Sequence, residues 1–540
     1  MPEEKRYILW VDDEIELLRS HVLYLNQRGY EVAEASNGAD ALELAKSHTF
    51  DLVLIDEMMP TMNGLELLRR LKELRPELPM VMVTKNEAEE LMEQAIGSQI
   101  AGFLTKPVNP SQILSVLKGI LDRRQISETR VSQRWTEEFA GLSRTLDEEL
   151  DAAGWLDLHA RLSAWELELD RWGSPELSEM LQEVRLEADR KFGKWIETVY
   201  QGWIASPDRP PLSMDVVDKW LLPLLASAER QGDASDSPQK GRGQPKSVAP
   251  VLFLVIDCMR YDQWLTLEPL LAEQFEIHRE AYFSILPTAT PYSRNALFSG
   301  LTPVELDRVQ SDLWNKGDED EGSSNRYERQ FLTALLERRG IKLQPEPRYV
   351  KVLEIEEAAD FEKRINEHLR IPLTSMVYNF VDILLHTRQS LAVLREMIPD
   401  ESAFRSVIRA WFEHSSLFRI LQAYGKAGGR VLVTSDQGSR RGRRGTQVFA
   451  DRETTTSLRY KLGRNLKVEP KHSVKIKDPA AWGLPQRGIN TEYVLAKEDF
   501  YFVYPTNYHH YLELYRDSFQ HGGISLEEMA LPVVTLIGKG

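Results

Sequence analysis

Acidic, hydroxyl and amine side chains stand at the ends of four apolar segments in the N-terminal part of the chain. Asp12 and Asp13 follow the first segment, and Asp56 ends the second. Thr84 and Lys106 end the next two. Because ligands bind beyond the carboxyl ends of the strands in a parallel α/β sheet, we expect these side chains to converge. The segments that position them are therefore predicted to be parallel strands.

The chemistry of such a cluster is phosphoryl transfer. Carboxylates repel one another unless they share a hard cation, and Mg2+ takes one or two carboxylates together with phosphate oxygens. We therefore predict a Mg2+ site at Asp12, Asp13 and Asp56. Asp56 is then the expected nucleophile, which receives a phosphoryl group as an acyl phosphate. Thr84 and Lys106 are expected to bind the phosphoryl oxygens.

This pattern resembles the receiver domain of bacterial two-component response regulators over roughly the first 120 residues. Phe103 corresponds to the aromatic position of that family's switch, beside Thr84 and Lys106. The resemblance implies a switch controlled by phosphorylation of Asp56, with a sensor histidine kinase as partner. The alternative is a generic flavodoxin-like domain with chance acids. A receiver by itself does not indicate what is switched.

Composition bounds the remaining possibilities. A length of 540 residues predicts roughly three or four domains. The net charge of −16 argues against general coating of nucleic acid. The single cysteine, Cys258, excludes an intrachain disulfide and fits a reducing compartment. The N-terminus lacks the apolar core of a signal peptide, and no uncharged apolar run reaches about 18 residues. We expect a cytoplasmic protein without a membrane span.

The patterning along the chain changes three times. Apolar residues at helical spacing, many of them tryptophans, follow the receiver and predict helices with one buried face. A polar stretch then offers almost nothing to bury and predicts a flexible linker. Beyond it, continuous apolar runs return and predict buried parallel strands. The predicted domains are a flavodoxin-like receiver at 1–123, a helical bundle at 124–229, a linker at 230–249 and an α/β domain at 250–540.

Residues with metal-ligand chemistry mark the C-terminal α/β domain. Asp257 and Asp436 follow apolar runs, so both are expected at the strand ends that line a crevice. Asp382 and His386 are four residues apart and would point to one side of a helix. His521 precedes a Gly-Gly turn. The pair of Asp382 and His386 is weak evidence alone, because such pairs are common on solvated surfaces, and the alternative for His521 is a loop histidine without a role. The two strand-end aspartates are stronger evidence.

Together these residues resemble the PglZ-type domain of the alkaline phosphatase superfamily over roughly residues 250–540. The resemblance implies a phosphoesterase with one or two zinc ions and a hydroxyl nucleophile that is transiently phosphorylated. Thr290 corresponds to the nucleophile, and Thr288 is its rival. The implied zinc ligands are Asp382, His386 and His521 for one ion, and Asp257, Thr290, Asp436 and Gln437 for the other.

The sequence departs from the family pattern at Gln437, where the superfamily has histidine. A glutamine amide oxygen binds zinc much less well than imidazole. We therefore expect the second zinc site to be weak, to recruit a substitute ligand or to be empty.

A basic segment follows this position. Residues 437–477 contain twelve Lys or Arg against three Asp or Glu, a balance of +9. One interpretation is a guide for a polyanion such as an oligonucleotide, and the other is a solvated loop. Nearby aromatic residues are either base-stacking platforms or strand core: Tyr501, Phe502, Tyr504, Tyr508 and Tyr511.

The order of receiver, helical region and PglZ-type domain resembles the PorX-like response regulators of the type IX secretion system of Bacteroidetes. That resemblance implies homodimerisation on phosphorylation, zinc-dependent phosphodiesterase activity and contact with a sigma factor. Two hypotheses follow: a phosphodiesterase gated by Asp56, or a catalytically impaired domain whose phosphorylated form binds a protein partner. No helix-turn-helix pattern follows the receiver, so we do not expect direct promoter binding.

Overall fold

The computed structural model describes residues 6–75, 78–85, 100–172, 174–234, 249–315, 327–450, 455–488 and 490–540. The chain divides into two compact units, Met1–Ala140 and Gly141–Gly540. Most of the predicted linker, residues 235–248, lies outside the described residues. Among the described helices, none combines the length and the apolar character needed to cross a membrane.

The first unit contains a five-stranded parallel sheet. Its strands are β1 Arg6–Val11, β2 Tyr30–Ala35, β3 Leu52–Asp56, β4 Met80–Thr84 and β5 Gly102–Thr105. Their order is β2-β1-β3-β4-β5, the flavodoxin-like order that the sequence predicts. The described helices are α1 Arg19–Asn26, α2 Gly38–Ser47, α3 Gly64–Leu74 and α4 Pro110–Asp147, with a 3₁₀ turn at Ile15–Leu18.

Burial explains why these strands are continuously apolar. Every residue of β3 and β4 is buried, because apolar clusters cover both faces of the sheet. The acidic and hydroxyl residues stand where those runs stop. The predicted receiver ends at residue 123, but its last helix, α4, is continuous to Asp147. Residues 124–147 contain no proline, so no residue type in this segment forces the helix to end.

The second unit begins with helices and continues as an α/β domain. Its helices are α5 Ala152–Trp172, α6 Pro175–Ala205, α7 Leu222–Ala234, α8 Tyr261–Leu267, α9 Thr290–Ser299, α10 Pro303–Val309, α11 Ser311–Asn315, α12 Glu328–Arg338, α13 Ile355–Lys363, α14 Ile365–His368, α15 Phe380–Ser390, α16 Ala392–Met397, α17 Glu401–His414, α18 Ser416–Lys426, α19 Tyr508–Tyr515 and α20 Leu526–Met529. Short 3₁₀ or π turns occupy Ser213–Asp215, Val217–Leu221, Glu268–Leu270 and Ala480–Trp482. Helix α7 extends into the first residues of the predicted linker.

A six-stranded sheet forms the centre of this unit. Its strands are β6 Val251–Ile256, β7 Phe275–Phe283, β8 Arg348–Val352, β9 Leu373–Tyr378, β10 Arg430–Thr434 and β19 Ala530–Gly538. The order is β7-β19-β10-β6-β9-β8, and β19 alone runs antiparallel to its neighbours. Thr434 of β10 pairs with Val255 of β6. This register brings the residues that follow β6 and β10 to the same edge of the sheet.

Three small sheets lie between β10 and β19 along the chain. Their strands are β11 Arg440–Arg441, β12 Arg444–Phe449, β13 Tyr460–Gly463, β14 Lys467–Val468, β15 Ser473–Ile476, β16 Glu492–Ala496, β17 Phe500–Val503 and β18 Phe519–Gln520. They pair as β11-β18, β14-β12-β17 and β13-β16-β15.

The helices α5 and α6 pack against the α/β domain instead of forming a separate bundle. Trp203 of α6 contacts Phe283 of β7, with ring centroids 5.3 Å apart. Buried ion pairs continue this contact: Arg185 of α6 pairs with Glu166 of α5 at 2.7 Å and with Glu527 of α20 at 3.2 Å. Arg440 of β11 pairs with Asp189 of α6 at 2.9 Å. The partners in these pairs come from distant parts of the chain, so helical spacing gave no sign of them.

Candidate functional site

The acidic cluster of the first unit lies at the carboxyl edge of its sheet, as predicted. Asp12 follows β1 and is fully buried, Asp56 ends β3 and is almost fully buried, and Asp13 is exposed. One carboxylate oxygen from each of the three lies within 4.8 Å of the others. Oxygen ligands at this spacing fit a hard divalent cation.

Lys106 supplies positive charge to the same cluster. Its Nζ lies 2.9 Å from Asp12 Oδ2 and 3.0 Å from Asp56 Oδ2. Burial raises the pKa of Asp56, as do the charges of Asp12 and Asp13, while Lys106 works in the opposite direction. Lys106 therefore offsets part of the repulsion among the acids and lies within reach of an oxygen added to Asp56.

Thr84 and Phe103 lie next to this cluster. The Thr84 hydroxyl donates a hydrogen bond to the Glu57 carboxylate, and the half-buried ring of Phe103 packs against one of the two cores of the sheet. Sequence reasoning missed Glu57, although it directly follows Asp56. A phosphoryl group on Asp56 would compete with Glu57 for the Thr84 hydroxyl.

In the second unit, Arg294 lies between the two aspartates at the strand ends. Its Nε donates to Asp436 Oδ2 at 2.8 Å, and its Nη2 forms an ion pair with Asp257. The guanidinium is 1% exposed, and Glu328 lies 3.8 Å from its Nη1. Burial alone favours the uncharged guanidine, but Asp257 and Asp436 outweigh it and hold the pKa of Arg294 well above its ordinary value. A permanent cation therefore occupies the space between these carboxylates.

The side-chain amide of Gln437 directs its N–H groups, not its oxygen, toward Asp257 and Thr290. Its Nε2 lies 2.8 Å from Thr290 Oγ1, 3.2 Å from Asp257 Oδ1 and 3.4 Å from Cys258 Sγ. Its Oε1 accepts a hydrogen bond from Ser293 Oγ at 2.6 Å. A flipped amide would set Oε1 against the Asp257 carboxylate, so the hydrogen-bond network requires this orientation.

The predicted second zinc site at Asp257, Thr290, Asp436 and Gln437 therefore does not fit the ion. Both of its carboxylates are paired with Arg294, and the only oxygen of the Gln437 amide accepts a hydrogen bond from Ser293. The sequence predicts a second zinc site that is weak, has a substitute ligand or is empty. In the structure, the Arg294 guanidinium lies between the two carboxylates where that ion was expected. Sequence reasoning missed Arg294 because it lies one helical turn after Thr290 among residues with no metal chemistry.

The predicted first zinc set does come together. Asp382 and His386 lie one turn apart on α15, with Nε2 of His386 3.4 Å from Oδ1 of Asp382. Nε2 of His521 lies 4.0 Å from the same oxygen, and the two imidazole rings are 6.2 Å apart. Burial works to raise the pKa of Asp382, but the hydrogen bond from His386 and the charge of His521 lower it to about 2. A carboxylate between two imidazoles fits a zinc ion.

Cys258 is a third neighbour of Asp382 that sequence reasoning did not consider as a ligand. Its Sγ lies 3.3 Å from Asp382 Oδ1. Ligand atoms of Cys258, Asp382 and His521 all lie within 4.8 Å of one another. The available signal was its position directly after the strand-end Asp257.

The two candidate nucleophiles differ in exposure. Thr288 is fully buried; its hydroxyl donates to Gly523 O at 2.8 Å and accepts from Gly522 N at 3.1 Å. It therefore anchors the loop that follows His521. Thr290 is half-buried and stands at the first position of α9. Thr290 remains the accessible hydroxyl of the pair.

The basic run is largely neutralised within the second unit. Its arginines form ion pairs as follows: Arg440 with Asp189 and Glu527, Arg441 with Glu401 and Asp517, Arg443 with Glu401, and Arg444 with Glu498 and Asp499. Tyr501 and Phe502 are buried in β17, and Tyr508 and Tyr511 pack against a small core, whereas Tyr504 is 37% exposed. The strand-core interpretation holds for Tyr501 and Phe502.

Three family models match consecutive parts of the chain. The response regulator receiver domain matches residues 8–118, the PorX response regulator linker domain matches residues 125–204, and the PglZ alkaline phosphatase-like domain of BREX systems matches residues 240–536. The last match covers more than half of the chain. The three domains stand in the predicted order.

Individual relatives are similar to part of the chain. The transcriptional regulatory protein SrrA of Staphylococcus aureus is 32% identical over 126 residues, which are 23% of this chain and 52% of SrrA. The chain thus spans about half the length of the curated relatives it matches. Chemotaxis protein CheY4 of Vibrio cholerae is 30% identical over 22% of this chain and 98% of that one, with a TM-score of 0.21. A CheY-like receiver domain of Methanospirillum hungatei is 33% identical over 23% and 98%, with a TM-score of 0.22.

Proposed function

Because this chain belongs to the PglZ family of alkaline phosphatase-like proteins and carries a receiver and a PorX-type linker before that domain, we propose that it is a response regulator with a phosphodiesterase output domain. A sensor histidine kinase phosphorylates Asp56, and Thr290 is the nucleophile of the output domain. The substrate is a phosphodiester of the nucleotide or short oligonucleotide class. One magnesium ion belongs to the receiver and one zinc ion to the output domain.

The receiver geometry supports phosphoryl transfer to Asp56. Asp12, Asp13 and Asp56 would hold Mg2+, which when bound neutralises charge on the phosphoryl oxygens. The Asp56 carboxylate attacks the phosphorus of the donor, and the bond between phosphorus and the donor breaks as the acyl phosphate forms. Lys106 Nζ, 3.0 Å from Asp56 Oδ2, then pairs with the added oxygens.

The observation that carries the output activity is the place of the Thr290 hydroxyl. It is half-buried at the first position of α9, directly before Pro291. Gln437 Nε2 donates to Thr290 Oγ1 and so fixes its position, 2.8 Å away. The same amide contacts Cys258 beside Asp382 and His521, so the hydroxyl and the metal-ligand cluster share one neighbour.

The reaction has two steps. Thr290 Oγ1 bonds to the phosphorus as one ester oxygen departs, and the threonine proton leaves with that oxygen as an alcohol. Water then cleaves the phosphothreonine and restores the hydroxyl. Asp382, His386 and His521 would hold the zinc ion, which when bound acts as a Lewis acid toward a phosphoryl oxygen.

Charge balance supports a single zinc ion. Asp257, Asp436 and Asp382 bring three negative charges to the buried site, and Arg294 returns one positive charge. A divalent ion at Asp382 offsets two of these negative charges, so an anionic substrate meets a less negative site. Buried charges that are not balanced in this way are strongly unfavourable.

Hydrolysis of bis-nitrophenyl phosphate and of short oligonucleotides tests this proposal. Thr290→Ser keeps a hydroxyl and should retain measurable activity, whereas Thr290→Val keeps the shape without the hydroxyl and should lose it. Mass spectrometry of a quenched reaction with bis-nitrophenyl phosphate should detect a nitrophenyl phosphoryl group on Thr290. If Thr290→Val hydrolyses both substrates at the wild-type rate, the nucleophile is assigned wrongly.

A second candidate function rests on Arg294 and Gln437. Because they replace a metal site of the superfamily with a guanidinium and an amide, a catalytically impaired domain that binds a protein partner is the alternative. In that case the wild type is inert in the hydrolysis assay. Regulation in cells would then respond to Asp56→Ala and would not respond to Thr290→Val.

Residues 125–204 match the PorX response regulator linker domain, and a role in type IX secretion is what the resemblance to PorX-like regulators implies. We propose a cytoplasmic regulator that forms a homodimer on phosphorylation, contacts a sigma factor and controls genes of the type IX secretion system. Deleting the gene should then lower the amounts of transcripts for secretion components, and the Asp56→Ala variant should reproduce that loss. Unchanged transcript levels in both strains would contradict this role.

A further inference from the structure

We propose that Cys258 is a thiolate ligand of the metal ion held by Asp382 and His521. The proposal rests on the proposed function, since it concerns the same metal site, and it adds a ligand from a different strand end. His386 then completes a set of four residues.

The distances around Asp382 fit one tetrahedral ion. Zinc lies about 2.3 Å from a thiolate sulfur and about 2.0–2.1 Å from imidazole nitrogen or carboxylate oxygen, so its ligand atoms are about 3.3–3.5 Å apart. From Asp382 Oδ1, the Sγ of Cys258 is at 3.3 Å, Nε2 of His386 at 3.4 Å and Nε2 of His521 at 4.0 Å. The distance from His521 must shorten, and the exposed His386 must move closer to Cys258 and His521, which already lie within 4.8 Å of each other, before all four atoms face one ion.

The closeness of three ligand atoms favours a metal-binding role for Cys258 over a purely structural one. Cys258, Asp382 and His521 form a mutually close group of ligand atoms, whereas His386 is close to Asp382 and its side chain is 59% exposed. The Nδ1 atom of His521 is buried and has no hydrogen-bond partner among the residues that the structure describes. The three members of the group are brought together by the edge of the sheet, helix α15 and the Gly-Gly turn.

The groups around the Cys258 sulfur also favour metal binding. Cys258 belongs to the apolar core of the domain, but its Sγ also has two polar neighbours, the Asp382 carboxylate and the Gln437 amide. Its backbone has φ of 61°, a left-handed conformation that is uncommon for a residue with a side chain. Such a conformation persists where the surrounding structure holds it, and this one directs the side chain toward Asp382.

A thiolate changes the charge and the donor set of the site. With Cys258 and Asp382 as its two anionic ligands and His521 as a neutral one, a divalent ion is fully balanced by its own ligands. Gln437 Nε2, 3.4 Å from the sulfur, donates a hydrogen bond to that thiolate. The Gln437 amide therefore supports a metal ligand and the Thr290 hydroxyl at once, which a histidine bound to a second zinc would not do.

The test uses the sulfur-to-cobalt charge-transfer band of the full-length protein. Cys258 is the only cysteine of the chain, so a near-ultraviolet thiolate band on addition of Co2+ to metal-free protein reports on this residue alone. Wild type should bind one Co2+ with the band. Cys258→Ser should lose the band and bind Co2+ at least about 10- to 100-fold more weakly, the range known for the loss of supporting metal partners.

The outcomes separate this inference from the proposed function. One Co2+ per chain without the band, and with equal affinity in Cys258→Ser, overturns the role of Cys258 and leaves the zinc site and Thr290 chemistry standing. No Co2+ binding by wild type overturns the zinc site and the inference together. Asp382→Asn serves as the matched control: it should weaken Co2+ binding while any residual complex keeps the thiolate band. A folded state in each variant is checked by phosphorylation of the receiver and by circular dichroism.

Discussion

Replacing Arg440 should destabilise the second unit far more than replacing its neighbour Arg443. Arg440 Nη2 lies 2.9 Å from Asp189 Oδ2, and the guanidinium also pairs with Glu527. Its side chain is 10% exposed, whereas that of Arg443 is 37% exposed and has one ion pair, to Glu401 at 3.7 Å. Both arginines belong to one short segment, so Arg440→Met and Arg443→Met make the same change of charge and size.

The expected loss of free energy of unfolding depends on which carboxylates lose their ion pair in each variant. Breaking a buried ion pair costs about 3–5 kcal/mol because it leaves an uncompensated charge. Glu527 keeps Arg185 at 3.2 Å, and Asp189 keeps the Leu526 N–H at 2.9 Å. We therefore expect the lower end of this range for Arg440→Met, about 3 kcal/mol, and about 0–1 kcal/mol for the exposed pair of Arg443→Met.

Urea titration followed by tryptophan fluorescence measures both values. Since Arg440 is three residues after Gln437, the same variant should also lower the rate of phosphodiester hydrolysis at urea concentrations where it remains folded. Equal losses of free energy of unfolding in the two variants would refute the reasoning. That result would mean that the contact between the helices and the α/β domain does not depend on its buried charges.

Three further outcomes are expected. A small phosphodonor with Mg2+ should shift the solution mass of the wild type toward a dimer, and Asp56→Ala should abolish the shift; an equal shift in the variant would contradict phosphorylation at Asp56. Elemental analysis should find about one zinc per chain, with less in His386→Ala. Gln437→His alone should leave that count unchanged, and adding Arg294→Gln should allow a second zinc; a second zinc in the single variant would contradict the role of Arg294. Burial and the charge of Arg185 lower the pKa of His159 from 6.5 to about 3, so the unfolded chain takes up a proton first as the pH falls below 6.5. This group alone should lower the free energy of unfolding of the second unit by about 2 kcal/mol at pH 5. In urea titrations, the fall in that free energy from pH 7 to pH 5 should therefore be smaller for His159→Gln than for the wild type.

The receiver illustrates what the sequence by itself determined. Its strands are continuous apolar runs, and the carboxyl ends of parallel strands meet at one edge, so the convergence of Asp12, Asp56 and Lys106 follows from local patterning and one rule of topology. The same argument predicted that Asp257 and Asp436 share an edge, and the pairing of Thr434 with Val255 confirms it. The pair of Asp382 and His386 needed only helical spacing.

The tertiary structure alone decided what lies between those side chains. Arg294 forms ion pairs with two aspartates that are 37 and 142 residues away along the chain, and no periodicity indicates which carboxylate a guanidinium meets. Cys258 became a candidate ligand only when its left-handed backbone directed the sulfur toward Asp382. The basic run suggested a polyanion surface, but Arg440 pairs with Asp189 of a distant helix. Hydrophobic patterning specifies which faces are buried because burial of apolar side chains is what stabilises those faces, whereas the partner of a buried charge depends on long-range contacts that form only in the folded chain.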